Sequence, residues 1–322
     1  MKTRWSTITA IALIVAAGSV VAQDYPVRPI RLIVPSAPGG SVDMLARTIG
    51  SRLNERWKQQ VVVDNRAGAG GVIAADLTAK APPDGYTLII GTVASMAANV
   101  SLSRNLPYNP VRDFAPVTVV ATQSFVLLVN PSLSAKSVKE LIALARSKPG
   151  HLTFASAGNG TGGHLSEELF KLLTGVDLLH IPYKGSAPAQ LDVISGQVSG
   201  IFLSINSSLP AVRSGKLRAL AVTGAGRSAV LPELPTMQEA GIQDYESETW
   251  YGILAPAATS RQVVTKLNGE IVAILKQPDV KERLLADGAE PVGNSPEEFG
   301  AFMKSEIAKW SKVVKAAGIR PE

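Results

Sequence analysis

Two runs of small residues in this chain have the make-up that lets backbone, rather than side chains, do chemistry. Ala157-Gly158-Asn159-Gly160-Thr161-Gly162-Gly163-His164 follows an apolar run at 152–155 that reads as a strand, and precedes Leu165, Leu169, Leu172 and Leu173, which keep helical spacing. Ala37-Pro38-Gly39-Gly40-Ser41 repeats the arrangement between an apolar run at 30–34 and a helix starting near Val42. Each loop carries the chain from a strand end into a helix start. Glycine there lets backbone approach a ligand, and the unbonded N–H groups of a helix start, with the helix dipole, favour an anion. Two such loops, about a hundred residues apart, predict two lobes gripping one anionic small molecule.

Side chains near these loops extend the candidate site. Ser41 and Thr161 stand where they can cap a helix, contact a ligand, or both. Asp43 lies one turn into its helix. A carboxylate there repels an anion but accepts N–H groups, so it reads as an organiser of the loop that can also meet a ligand donor or water. His164, at the other helix start, is either a cap on its loop or a donor to a carboxylate. Thr92 and Ser95 follow the strand at 86–90; Tyr183 and Lys184 follow the strand at 178–182. Lys184 is the one positive charge at a predicted cleft edge, with a merely solvated lysine as the alternative. Ser156 and Ser204, at the ends of the strands at 152–155 and 200–203, complete the set. Arg66 and Gly68 to Gly71 form another strand-to-helix loop and are left out as equally able to hold the fold together. His151 and His180 read as structural.

Other chemistries fit poorly. Gly158, Gly160 and Gly163 match the dinucleotide fingerprint by letter, but its acidic residue should end the next strand, and Asp177 precedes that strand. There is no cysteine and no His, Asp and Glu set with metal-site spacing, so no metal or cofactor is expected. No nucleophile elbow is present, and Glu167 and Glu168, being adjacent on a helix, point apart. An exported hydrolase or isomerase on a related α/β scaffold, or a solute sensor signalling to a membrane partner, are the rival functions. Turnover of a bound compound would reveal the enzyme.

The chain starts with Lys2 and Arg4, an uncharged apolar or small stretch from Ile8 to Val21, and the small-residue site Val20-Val21-Ala22. That is a secretory signal peptide, too short in its apolar core to span comfortably. Cleavage after Ala22 would leave 300 residues with 30 basic and 26 acidic side chains, a net +4. The excess is scattered with no basic stripe, which argues against a nucleic-acid partner.

Positioning the loops requires alternating strands and helices. Strands are expected at 30–34, 61–63, 86–90, 117–120, 125–129, 152–155, 178–182, 200–203, 217–222 and 250–254, with helices between most of them. Ser137 to Glu140 and Ser295 to Glu298 read as capping boxes, the second opening a helix that carries Phe299, Met303, Ile307 and Trp310. The fold class is α/β, with mostly parallel sheets covered on both faces. One lobe is expected over 23–122 with 247–322 and the other over 123–246. The two crossings make a hinge, and ligands in such sheets sit beyond the carboxyl ends of strands.

The ordered motifs resemble a known family. Ile33-Val34-Pro35 with Ala37-Pro38-Gly39-Gly40 and Asp43 is similar to the first signature of the Bug receptors, the extracytoplasmic solute receptors of tripartite tricarboxylate transporters. Asp64-Asn65-Arg66 with Gly68-Ala69-Gly70-Gly71 resembles the second, and Pro83-Asp84-Gly85-Tyr86-Thr87-Leu88 the third. Residues 156–164 with Glu168 to Lys171, Pro182-Tyr183-Lys184-Gly185, residues 215–222, Leu234-Pro235-Thr236, Glu239-Ala240-Gly241 and Trp250 continue the match. The resemblance implies a type II two-lobed periplasmic binding protein fold, monomeric, that closes on a small carboxylate and presents it to membrane transporter components. It also implies that the first-lobe loop holds the carboxylate through N–H groups and water rather than an arginine. One departure is that Ser199 and Leu203 stand where relatives carry acids, which would suit a ligand without an amino or hydroxyl group.

Overall fold

The computed structural model describes residues 25–183 and 185–319. The expected leader, residues 1–22, and Lys184 lie outside the described residues. The strands are β1 (Ile30–Val34), β2 (Val61–Asn65), β3 (Thr87–Thr92), β4 (Phe114–Val129), β5 (Thr153–Ser156), β6 (Leu179–Pro182), β7 (Gly200–Ser204), β8 (Arg218–Val222), β9 (Glu248–Pro256) and β10 (Ala289–Pro291). The helices are α1 (Ser41–Trp57), α2 (Val72–Ala79), α3 (Asn99–Leu102), α4 (Val138–Ser147), α5 (Gly162–Thr174), α6 (Ser186–Ser195), α7 (Ile205–Arg213), α8 (Arg261–Leu275), α9 (Pro278–Ala286) and α10 (Pro296–Ala316).

Two α/β lobes share β4. Its first part pairs antiparallel with β9, from Phe114 opposite Pro256 to Ser124 opposite Glu248. At Phe125 it changes partners, and Phe125 to Val129 pair with β7 on one side while Val126 to Val129 pair with β8 on the other. The two separate strands expected at 117–120 and 125–129 are therefore one strand of 16 residues. Thr122-Gln123-Ser124 reads as a polar break in sequence, yet these residues lie where the strand passes between lobes and contain no glycine or proline to end it.

The expected parallel pairing holds in the wings only. In one wing β1 lies between β2 and β3, all parallel; in the other β5 lies between β6 and β7, all parallel. The centre is antiparallel, because the chain leaves one lobe on β4 and returns beside it on β9. Each parallel wing brings its strand ends, and hence its loops, to one edge.

Apolar faces close on these sheets in three cores. Leu45, Ile49 and Leu53 of α1 pack with Leu267 and Ile271 of α8 on one face of the first lobe. Val193 of α6 and Ile205 of α7 cover the corresponding face of the second. The third core runs through both lobes, from Ile33 and Met96 past Phe125 to Phe154 and Phe170, and α10 roofs it with Phe299, Met303 and Trp310. The buried Glu306 carboxylate accepts from the indole nitrogens of Trp250 (3.1 Å) and Trp310 (2.9 Å), which ties α10 to β9. The Ser295 and Glu298 box forms in both directions. The Ser137 box forms in one, since the Glu140 carboxylate reaches Lys136 N instead. Helix α9 and β10 have no counterpart in the sequence reading. Only Val280 and Leu284 of α9 are buried, too few to set a periodicity.

Candidate functional site

The first loop, residues 36–40, leaves the end of β1 and enters α1 at Ser41. Its inner frame is built from three polar residues. Asp43 is buried; its Oδ2 accepts from Gly39 N at 2.9 Å and from Arg47 Nε at 2.9 Å, and its Oδ1 accepts from Asn65 Nδ2 at 3.0 Å. Asn65, at the end of β2, also donates to Ser36 O at 3.0 Å. One end of the loop is held through Ser36 and the other through Gly39. The Arg47 guanidinium, with the Gly39 and Asn65 donors, holds the Asp43 carboxyl below its usual range against the opposing effect of burial. That neutralises the charge the loop would otherwise present to an anion.

Gly39 N is thus consumed inside the protein, whereas the helix start is open. No side chain caps α1, and its first bond runs from Met44 N to Gly40 O at 3.0 Å. Helix geometry leaves the N–H groups of Ser41, Val42 and Asp43 without helical partners. A side chain at Gly40 would find nothing nearer than Ala37 O at 4.0 Å, and Gly40 has an ordinary φ of −82°. The Ser36 hydroxyl is buried without a protein partner.

The second loop, residues 157–161, is filled by its own groups. Gly158 N donates to Ser156 Oγ (3.1 Å), Thr161 Oγ1 donates to Gly158 O (2.8 Å), and Gly160 N donates to His164 Nδ1 (3.0 Å). Ser156 Oγ lies 2.7 Å from His180 Nε2. The His164 and His180 rings stack, centroids 3.9 Å apart and planes at 14°. His164 is buried and its Nε2 faces Glu168 Oε1 at 3.7 Å, while Lys171 Nζ donates to the same oxygen at 2.8 Å. Burial, with the adjacent His164, pushes His180 down to about 4, so it is neutral near pH 7. Burial opposes ionisation of Glu168, but His164 and Lys171 outweigh it and the carboxyl stays below its usual range. Gly160 has φ +71°, and a Cβ there would come within 2.6 Å of Leu102 of α3 in the first lobe.

The remaining expected residues divide by where they point. Thr92 and Ser95 bond mainly to each other at the end of β3, and Ser95 is fully buried. Tyr183 donates its hydroxyl to Asp192 at 2.6 Å, and that bond, with burial, pushes the phenol up to about 12. Ser204 precedes α7; its hydroxyl donates to Asn206 Oδ1 at 3.1 Å, and its Oγ lies 2.9 Å from Ser207 Oγ. Ser41 accepts from Asn206 Nδ2 at 3.1 Å, joining the two lobes. Gly162 packs against the Phe125 ring, which leaves no room for a side chain. Ala37 and Pro38 lie on the exposed outer part of their loop. Asn159 lines a cavity of about 530 Å³ with Gly160, His164 and His180 on one side and Gly70, Asn99 and Leu102 on the other.

Two expectations change. Ser199 and Leu203 do not border the cleft: Ser199 bonds Thr153 beside the start of β7, at the far end from the loops, and Leu203 is buried in the α6 and α7 core. Their identity therefore does not bear on the ligand. Of the loop at 66–71, set aside in the sequence, Ala69 and Gly70 border the cavity, and Asn99 Nδ2 donates to Gly70 O at 3.1 Å. His180, Asn65 and Asn206 were not singled out as site residues. Asn65 stood in a quoted motif and so had a signal; Asn206 had none, since an asparagine early in a helix is a common cap. Among the described residues no group of three or more His, Asp and Glu could hold a metal, and no helix is long and apolar enough to cross a membrane.

Loops at the carboxyl ends of two parallel wings, with Gly70 of one lobe and Gly160 of the other lining one cavity between lobes that share a strand, define a two-lobed solute-binding protein. Known proteins agree. The chain matches the tripartite tricarboxylate transporter family receptor model over residues 45–319. It is 41% identical over 305 residues to protein BugT of Bordetella pertussis, covering 94% of each chain. Among solved structures it is similar to R. palustris Rpa4515 with adipate (44% identity, TM-score 0.84, 93% of this chain and 100% of that one). It is also similar to MatC from Rhodopseudomonas palustris with bound malate (34%, TM-score 0.79, 90% and 100%). The chain belongs to the tripartite tricarboxylate transporter receptor family and is a receptor rather than an enzyme.

Proposed function

We propose that this receptor captures a small organic carboxylate, with one or two carboxyl groups, between its lobes. The observation that carries the reading is the uncapped start of α1, which meets the other lobe at Asn206 and whose own carboxylate, Asp43, is paired with Arg47 from behind. Adipate and malate in the relatives' structures support the same ligand class. One carboxylate meets the N–H groups of Gly40, Ser41 and Val42, with the Ser36 hydroxyl or a water as a further partner. The second loop, Gly158 to Thr161, supplies the opposite wall, shaped by His164 and His180. Ser156, Thr161 and His164 act through the loop because their polar atoms are already engaged. Lys184 adds, at most, a charge at the rim.

The change of partners along β4 supports lobe crossings near Ser124 and near Ser247, with closure about them. The protein acts as a monomer in the periplasm, after cleavage following Ala22, and hands the closed, loaded form to the membrane components of its transporter. A thermal-shift screen of mono- and dicarboxylates, followed by calorimetry, tests the reading. A dicarboxylate that raises the melting temperature in a concentration-dependent way supports it. No response to any carboxylate, or turnover of one, defeats it.

A further inference from the structure

We propose that Asn206 is a positioning residue that latches the two lobes together through Ser41. Asn206 is the second residue of α7. Its Oδ1 accepts from Ser207 N at 2.7 Å and from Ser204 Oγ at 3.1 Å, which fixes the plane of the amide. The amide NH₂ is thereby turned outward, where it donates to Ser41 Oγ, the first residue of α1 on the other lobe, at 3.1 Å. Two helix starts, one from each lobe, are joined by this bond.

The surroundings give the bond leverage. Beside it, the turn between α9 and β10 presses on α7, and a Cβ at Gly288 would lie 3.0 Å from Ile205 Cβ. That turn is fixed to the shared strand, since Gln123 Nε2 donates to Asp287 O at 2.9 Å and Tyr251 OH donates to Gln123 Oε1 at 3.0 Å. The Gly288 contact is a pivot of backbone and apolar side chain, while the Asn206 bond is polar and breakable without exposing a core. A hydrogen bond of ordinary net strength shifts an open–closed equilibrium by about three- to tenfold, enough to bias closure and weak enough to let a ligand leave.

The inference deepens the receptor reading, on which it rests, and its test needs no ligand. The chain has no cysteine, so cysteines introduced at the exposed Asn54 and Arg213, on α1 and α7, can carry spin labels without background. Ser41→Ala is the clean cut, because it leaves the bonds of Asn206 to Ser204 and Ser207 intact; Asn206→Ala is the second. Pulsed electron–electron distance measurement should show the longer-distance population rising about three- to tenfold in each variant, with unchanged melting temperature for Ser41→Ala. The double variant should open no further than either single one. An unchanged distance distribution in Ser41→Ala, or single effects that multiply in the double variant, would overturn the latch. Calorimetry of the unsubstituted protein with adipate and malate reads the receptor proposal separately, whatever the distances show.

Discussion

Gly39 and Gly160 sit in two loops, one from each lobe, and each donates its N–H to the side chain four residues on: Gly39 to Asp43 and Gly160 to His164. The devices are alike and the outcomes differ. In the first loop the acceptor is a carboxylate, clamped by Arg47 and Asn65 from behind, and no side chain caps the helix start. In the second the acceptor is an imidazole nitrogen on a ring stacked on another, and Ser156 and Thr161 fill what the glycines leave. A frame built behind a loop leaves its N–H groups for a ligand; a frame built within a loop spends them on shape. On the proposed reading, the first loop is the anion site and the second its wall.

Substitution of one glycine in each loop should separate the two most sharply. Gly40→Val puts its side chain into open space from an ordinary backbone conformation, so it should fold and melt normally yet lose about a hundredfold in carboxylate affinity, or about 2.7 kcal/mol. Gly160→Val must hold a positive φ and displace Leu102, so its main effect should be a loss of about 1–3 kcal/mol of stability in urea unfolding. Normal binding by Gly40→Val would break the comparison.

A smaller effect is expected from the frames. Asp43→Ala orphans Gly39 N and Asn65 and should weaken affinity by about tenfold, with Asp43→Asn, which keeps an acceptor, losing less. His164→Ala should instead lower the melting temperature and alter affinity by only a few-fold, because it removes a bond and a stack inside the wall. Calorimetry beside thermal melts of both variants would check this; equal losses of affinity would mean the loops share the anion.

Acid should distinguish them more subtly. His180 stays neutral in the folded protein down to about 4, while an unfolded histidine takes up its proton near its ordinary value of 6.5. Its contribution to stability is therefore complete above about 6.5 and lost as pH falls towards 4. Asp43, held below the usual carboxylate range, contributes above that range and is lost only at still lower pH. The urea midpoint of His180→Gln relative to the unsubstituted protein should therefore rise as pH falls from about 6.5 towards 4. Glu167 has the opposite sign. Burial without a hydrogen-bond partner pushes it up to about 9, so stability drains as pH rises from the ordinary carboxylate value towards 9, and Glu167→Gln should relieve it.

Much of this was legible in the sequence because backbone sites announce themselves through glycine. Both loops, the strands before them and the helices after them could be read from small-residue runs set between apolar periodicities. The single strand β4 could not, since its polar middle gains strand character only from pairing with β9, a partner 124 residues away at Ser124 and Glu248. The antiparallel centre was hidden for the same reason: alternation of strands and helices says nothing about a strand that returns from another lobe. Side-chain engagement was the third gap. Thr161, His164 and Tyr183 have the right types at the right places, and only tertiary structure shows Thr161 donating to Gly158 O, His164 accepting from Gly160 N and Tyr183 donating to Asp192.

The central claim is that the start of α1, and not a side-chain cation, holds the ligand carboxylate. Titration of ¹⁵N-labelled protein with dicarboxylates, adipate first, followed by amide NMR, tests it most directly. The account predicts large downfield amide-proton shifts at Gly40, Ser41 and Val42 at saturation, with small shifts at Gly39 and Gly160, whose N–H groups are already bonded. Saturable carboxylate binding that leaves residues 40–42 unmoved and perturbs Lys184 instead would contradict it.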